Sequence, residues 1–235
     1  MQATNIIERI EFHNRTHVFR DREDAGQVLS HTMAEYKGTP AIVMAIPAGG
    51  LPVAVEIAKQ LNLPLDVAVV SKITLPWNTE AGYGAVAFDG TVRLNDDLVK
   101  RLNLSEQQVE EDIVKTRAKV RRRITLFRGE RPLPHLAERS VILVDDGLAS
   151  GFTMYVAVEA LHKASASQIV VAVPTGHSQA VQRIGAEVNR IYCANIRSGW
   201  SFAVADAYEH WSDVTEQDVL ERLKNLWAEG GISCD

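Results

Sequence analysis

The 235 residues carry 25 Lys and Arg against 30 Asp and Glu, a formal net charge of −5, with 46% hydrophobic and 23% charged residues. Such a chain can bury an ordinary core and is long enough for one α/β domain with additions; its acidic balance argues against a general nucleic-acid binder. No apolar run reaches membrane-spanning length, residues 1–10 do not read as a signal peptide, and Cys193 and Cys234 sit in contexts too unlike for a disulfide or a thiolate metal site, so the expectation is a cytoplasmic protein with no membrane or nucleic-acid partner.

A helix is expected from about residue 19 to 36, capped by Asp21 with Asp24 three residues on, and with Ala25, Val28, Leu29 and Met33 on one face. Arg20 and Arg22 read as surface ion-pair partners or as residues of a subunit interface. Residues 41–46 form a buried strand that runs into Pro47-Ala48-Gly49-Gly50 and a helix over 52–61, with Pro52 in its first turn. Glycines at a helix start offer bare N–H groups to an anion; the same pair serves equally as a plain turn. A third strand is expected over 66–70, ending at Ser71-Lys72, where Lys72 is a solvated charge or a phosphate contact.

Residues 74–84, with Pro76, Trp77, Asn78, Glu80, Gly82 and Gly84, hold too many breakers for a regular element and read as a loop; Trp77 is a loop anchor or a lid residue. Two short strands over 85–94 surround Asp89-Gly90, a type I′ hairpin signal. A short helix over 95–102 precedes a long one that starts at the capping box Ser105-Glu106-Gln107-Gln108 and reaches about 124. Four positive charges in its run 119–123 complement the dipole of a helix C-terminus, or they contact an anionic ligand or a partner subunit.

The strongest signal is Val141-Ile142-Leu143-Val144-Asp145-Asp146-Gly147-Leu148-Ala149-Ser150-Gly151-Phe152-Thr153-Met154. Four apolar residues, three of them β-branched, read as a buried strand of a parallel sheet, and a helical pattern runs from about 153 to 163. Between them lie two carboxylates and a small flexible turn, at the strand end where open α/β sheets bind ligands. The N–H groups of residues 150–153 and the hydroxyls of Ser150 and Thr153 suit a phosphate monoester. Asp145 and Asp146 can accept hydrogen bonds from a ribose hydroxyl pair or lie near a Mg²⁺ carried by the ligand. The implied ligand is a ribose 5-phosphate. Beyond this come a strand over 169–173, the turn Pro174-Thr175-Gly176-His177, a helix over 178–184 and a strand over 190–195. His177 faces the site or is a turn residue. The stretch 198–208 holds Trp200, Phe202 and Tyr208 without helical periodicity, either core packing or an aromatic platform. A terminal amphipathic helix follows over 215–227.

The stretch from Val141 resembles the phosphoribosyl-pyrophosphate (PRPP) signature of type I phosphoribosyltransferases: an apolar run, two acids, three variable residues, then T/S-G-x-T, with Ser150 at the first of these. Further likenesses are the opening Phe19-x-Asp21-Arg22, the P-x-N-x-E-x-x-x-G-A-V pattern from Pro76, and a "hood" segment from Phe202, so the resemblance covers about residues 19–219 and extends to a bacterial and archaeal group without an assigned acceptor. It implies an α/β fold with a central, mainly parallel, five-stranded sheet flanked by helices, a small hood and a hairpin/long-helix insertion. It implies one domain over 1–235, with a core at about 19–195, a hood at about 196–214 and a C-terminal helix at 215–227.

The implied activity is transfer of 5-phosphoribosyl from Mg·PRPP to a nitrogen acceptor with release of pyrophosphate, by a homodimer; a PRPP-sensing regulatory protein on the same fold is the alternative. Asp145, Asp146 and Lys72 are the implied catalytic residues, with Mg²⁺ near Asp145 and Asp146 through ligand or water. Ala149, Ser150, Gly151, Phe152 and Thr153 would hold the 5′-phosphate. Ala48, Gly49, Gly50 and Lys72 would hold pyrophosphate, with a strained peptide at Pro47–Ala48, and Trp200, Phe202 and Val204 would receive the acceptor. A flexible loop after Lys72 would close over the site. The chain departs from the family at Ala48 and Ser71, where a basic residue is common, at Ala205, and at Ala149, where 6-oxopurine enzymes carry a proton-transferring Asp.

Overall fold

The computed structural model describes residues 5–75 and 78–228, with the side chains of 78–81 and 228 left undescribed. In chain order the elements are β1 (Ile6–Ile7), α1 (Arg22–Thr32), β2 (Ile42–Ala45), α2 (Gly50–Leu61), β3 (Leu65–Val67), β4 (Val70–Leu75), β5 (Asn78–Ala87), β6 (Val92–Leu94), α3 (Asp96–Arg101), α4 (Glu106–Arg128), β7 (Ser140–Val144), α5 (Phe152–Lys163), β8 (Gln168–His177), α6 (Ser178–Gly185), β9 (Arg190–Arg197) and α7 (Glu216–Ala228). One sheet has the order β1-β9-β8-β7-β2-β3, and all its pairings are parallel. Helices flank it, so residues 141–144 are buried on both faces. Burial of each such aliphatic side chain is worth about 1.5–3 kcal/mol, which is why β7 reads as an unbroken apolar run rather than an alternation. The five expected strands are all in this sheet; β1 adds a sixth at its edge.

The connections place the site. From β2 the chain crosses through α2 to β3 on one side, and from β7 through α5 to β8 on the other. The sheet therefore changes winding direction between the neighbours β2 and β7, where ligands bind in open α/β sheets. Ile42 to Ala45 pair with Val141 to Val144, and Ile46 N donates to Val144 O at 2.8 Å, so turns 47–50 and 145–151 emerge side by side.

Several sequence expectations give way to the tertiary structure. The run 66–70 is two strands in two sheets: β3 ends at Val67, where Arg128 bonds Asp66 Oδ1 (3.2 Å) and Val67 O (2.9 Å), and β4 begins at Val70. Residues 74–84 are largely strand, because β4 and β5 form an antiparallel pair with register shifts on either side of Thr74. Gly82 and Gly84 are the cause: a Cβ would lie 3.2 Å from Lys72 Cβ at the first and 2.8 Å from Arg93 O at the second, so glycine here permits close strand approach. Pro76 and Trp77 lie outside the described residues. The hairpin exists, with order β4-β5-β6, but its turn is not type I′; only Gly90 (φ +89°) is left-handed, while Asp89 accepts from Thr91 N and Oγ1. Strand β8 continues through Pro174 to His177, paired with β9 up to Arg197. Helix α4 runs on to Arg128, so its basic run at 119–123 lies in the helix interior and not at the C-terminus.

Candidate functional site

Asp145 and Asp146 leave the end of β7 with little solvent around them. Asp146 N donates to Asp145 Oδ1 at 2.9 Å. Loss of hydration, then the neighbouring Asp146, push the Asp145 carboxyl well above its ordinary range. Loss of hydration also raises Asp146, against the opposing pull of Arg22. The pair is thus an under-compensated negative site that a cation would relieve. Among the described residues no cluster of three or more His, Cys, Asp or Glu could cage a metal. The donor set fits an ion that brings its own oxygens, as Mg²⁺ does on a phosphate ligand.

Arg22 is the residue that sequence reasoning misplaced. Its side chain is buried, and its Nη2 and Nε both lie 3.0 Å from Asp146 Oδ2. Nη1 donates to Ser212 O at 2.8 Å, and the guanidinium stacks 3.8 Å from the Trp211 ring centre. Tyr208, whose burial keeps its hydroxyl protonated, donates to Asp146 O at 2.7 Å. One acid is thereby tied to α1 and to the segment before α7. Arg20 is exposed and pairs with Asp21, as expected.

Two turns face the acids. In the first, the Pro47–Ala48 peptide is cis, and α2 starts at Gly50, earlier than the sequence suggested. Gly50 N donates to Ile46 O, which leaves Gly49 as the glycine amide for an anion. A Cβ on Gly49 would lie 2.0 Å from Asp146 Oδ2, and one on Gly50 2.7 Å from Val144 O. In the second, Ala149 and Ser150 are exposed, Gly151 is left-handed at φ +69°, and α5 starts at Phe152, so its N-terminal amides and positive dipole end face the turn. Ser150 Oγ accepts from Phe152 N (3.3 Å). A cleft of about 270 Å³ opens between the turns, with Pro47, Lys72, Lys119, Arg123, Asp145 and Thr153 on its walls.

The expected acceptor residues separate. Trp200 projects fully into solvent. Phe202 packs edge-on against His177, ring centres 5.7 Å apart, under the Arg197 guanidinium at 4.9 Å. Val204 sits over Gly147, where a Cβ would meet it at 2.6 Å. His177 is a structural turn residue: one ring nitrogen contacts Gly199 O and the other accepts from Gln179 N, capping α6. Asp206 is engaged by Arg197 at 3.0 Å. Missed at the sequence level were the burial of Arg22, the contacts of Arg197 and the Trp211 stack; only the proximity of Arg22 to the capping Asp21 offered a hint. For Lys119 and Arg123 the sequence favours complementing a helix dipole over contact with an anionic ligand or partner subunit, whereas the structure puts both residues on the cleft wall.

Residues 22–207 match the family described as the phosphoribosyl transferase domain. Two proteins from two strains of Mycobacterium tuberculosis, provisionally named phosphoribosyl transferases, are 34% identical over 217 residues, or 91% of this chain. The alignment takes in 49% of their length, so the chain spans about half of the curated relatives it matches. A crystal structure of Thermus thermophilus protein TT1426 superposes with a TM-score of 0.70 at 32% identity, over 88% of this chain and 98% of that one.

Proposed function

Since the chain belongs to the phosphoribosyl transferase family, we propose that it uses Mg·PRPP to transfer a 5-phosphoribosyl group to a nitrogen acceptor, with release of pyrophosphate. The observation that carries this reading is that Asp145, Thr153 at the α5 start, Pro47 and Lys72 line one cleft, with Gly49 packed against the neighbouring Asp146. Thr153 and the amides of residues 149–153 would hold the 5′-phosphate. Asp145 and Asp146 would accept from the ribose hydroxyls and stabilise positive charge developing on the sugar. Ala48, Gly49 and Lys72 would meet the pyrophosphate. Mg²⁺, when bound with the ligand near Asp145 and Asp146, would neutralise charge on the leaving group. Val204, which packs on Gly147 beside the acids, and Phe202 would receive the acceptor. A homodimer in the cytoplasm belongs to the same reading; among the described residues no helix is long and apolar enough to cross a membrane.

Calorimetry tests the ligand. Mg·PRPP should bind more tightly than ribose 5-phosphate, because two anion sites are engaged rather than one; equal affinities would show that the Gly49 turn binds nothing. Turnover with purines, pyrimidines and amines tests the acceptor. Ala149 cannot transfer a proton, so hypoxanthine and guanine should be poor acceptors, by about 10²–10⁴-fold in rate against an enzyme with an acid there. Efficient formation of IMP or GMP would overturn that. The neutral Ala48 and Ser71 favour a second reading, a PRPP sensor, which would show binding without pyrophosphate release.

A further inference from the structure

The basic run of α4 has no helix terminus to complement, and its side chains divide by direction. Lys119 and Arg123, one turn apart on the helix, line the cleft beside Asp145, together with Ser71, Lys72 and Thr153; Arg121 and Arg122 do not. Arg123 is built into the protein rather than solvated: it is 8% exposed, and its guanidinium lies 5.2 Å from the Phe127 ring centre. Its Nε makes no well-aligned hydrogen bond but stands in ion-pair range of Glu216 Oε1 at 3.2 Å, a carboxylate that Arg122 also engages at 2.6 and 2.9 Å. Across the cleft, Ser71 Oγ is also buried, at 4% exposed, without a partner. An unpartnered hydroxyl at Ser71, two lysines and the Arg123 guanidinium on the walls of one cleft call for an anionic acceptor. The turn 47–50 brings no side-chain charge of its own, and the 5′-phosphate has its own turn at 149–153.

We infer that Lys119 and Arg123 contact the pyrophosphate group of PRPP, with the Ser71 hydroxyl donating to the same group, so that the insertion helix α4 supplies side-chain charge that the glycine turn lacks. This rests on the proposed use of PRPP. It makes α4 part of the substrate site rather than a decoration, and it gives the cleft a preference for diphosphate over monophosphate esters.

The test is calorimetric binding of Mg·pyrophosphate, Mg·PRPP and ribose 5-phosphate to the full chain and to Lys119→Ala, Arg123→Lys and Arg121→Ala. Lys119 is exposed, so its truncation leaves the fold intact even if changes at buried Arg123 do not. Lys119→Ala should weaken pyrophosphate and PRPP at least about tenfold while ribose 5-phosphate stays within twofold; Arg123→Lys should weaken pyrophosphate less than a neutral Arg123→Gln; and Arg121→Ala, of equal charge change outside the cleft, should alter nothing. Unchanged pyrophosphate binding in Lys119→Ala, or equal losses in Lys119→Ala and Arg121→Ala, would overturn the inference and leave PRPP binding standing. Failure of the unmodified protein to bind Mg·PRPP would overturn the proposed function and this inference with it.

Discussion

The turns 47–50 and 147–151 each hold two glycines and each start a helix against the same pair of acids, yet the glycines do different work. Gly151 adopts φ +69°, a conformation that costs other residues about 1 kcal/mol or more. Gly49 has φ −60° and ψ −33°, open to any residue; what it lacks is room, since Asp146 Oδ2 occupies the position of its Cβ. The turn at 147–151 is shaped by its own backbone and leaves Ala149 and Ser150 exposed. The turn at 47–50 is shaped by contact with a half-buried carboxylate that Arg22 and Tyr208 hold in place. A turn shaped by its own backbone can be left open; a turn that must stay in register with a charged pair is locked to it.

That contrast can be broken from either side. The largest effect is expected from Gly49→Ala. The methyl would displace the Asp146 carboxylate from Arg22, and losing such an ion pair at a poorly solvated site costs on the order of 3 kcal/mol. Urea unfolding should show that loss together with the loss of Mg·PRPP binding; an unaltered midpoint would mean that Asp146 has another place to go.

Arg22→Met comes next, at about 2–3 kcal/mol at neutral pH, and its pH dependence identifies the cause. Without Arg22 the Asp146 carboxyl, already raised by burial, rises further, so the variant's deficit should be full above that carboxyl's pKa and shrink as acid protonates Asp146 in both proteins. A deficit that does not vary with pH would assign the loss to the Trp211 stack instead.

Asp145→Asn should move stability the other way. The native pKa of Asp145 is raised, so the wild type loses stability as pH climbs from the unfolded carboxyl value, about 4, through the native one. Removing the charge should therefore stabilise the ligand-free protein by about 1 kcal/mol at pH 7–8 and by nothing near pH 3, while weakening Mg·PRPP at least about tenfold. Thermal melts across pH decide it; a destabilised variant at pH 8 would mean that the charge is already compensated.

The smallest effect belongs to Gly151→Ala, about 1 kcal/mol from the left-handed backbone. Its added Cβ would stand 3.3 Å from Ala180 Cβ and in ordinary contact with the Ile184 side chain, at 3.5 and 3.8 Å. Ribose 5-phosphate affinity should suffer more than pyrophosphate affinity, the reverse of Lys119→Ala.

Elements whose signals are local are legible in the chain itself. Unbroken apolar runs at 42–45 and 141–144 are buried strands because both faces are covered. Asp21, Asn95 and Ser105 cap helices because their side chains reach the amide three residues on. The strand–acid–turn–helix order at 141–154 brings carboxylates and phosphate-type amides together through chain connectivity, which keeps them within a few residues of one another. Features that depend on partners far away in the chain are settled by packing. The glycines of 82–84 sit in a strand because β4 and β6 lie close on either side. Arg22 is buried because Asp146, 124 residues on, needs its charge. Lys119 and Arg123 are cleft residues rather than helix-end charges because α4 continues past them and lies over β4, and no pattern along a single helix records which neighbour its charged face will meet.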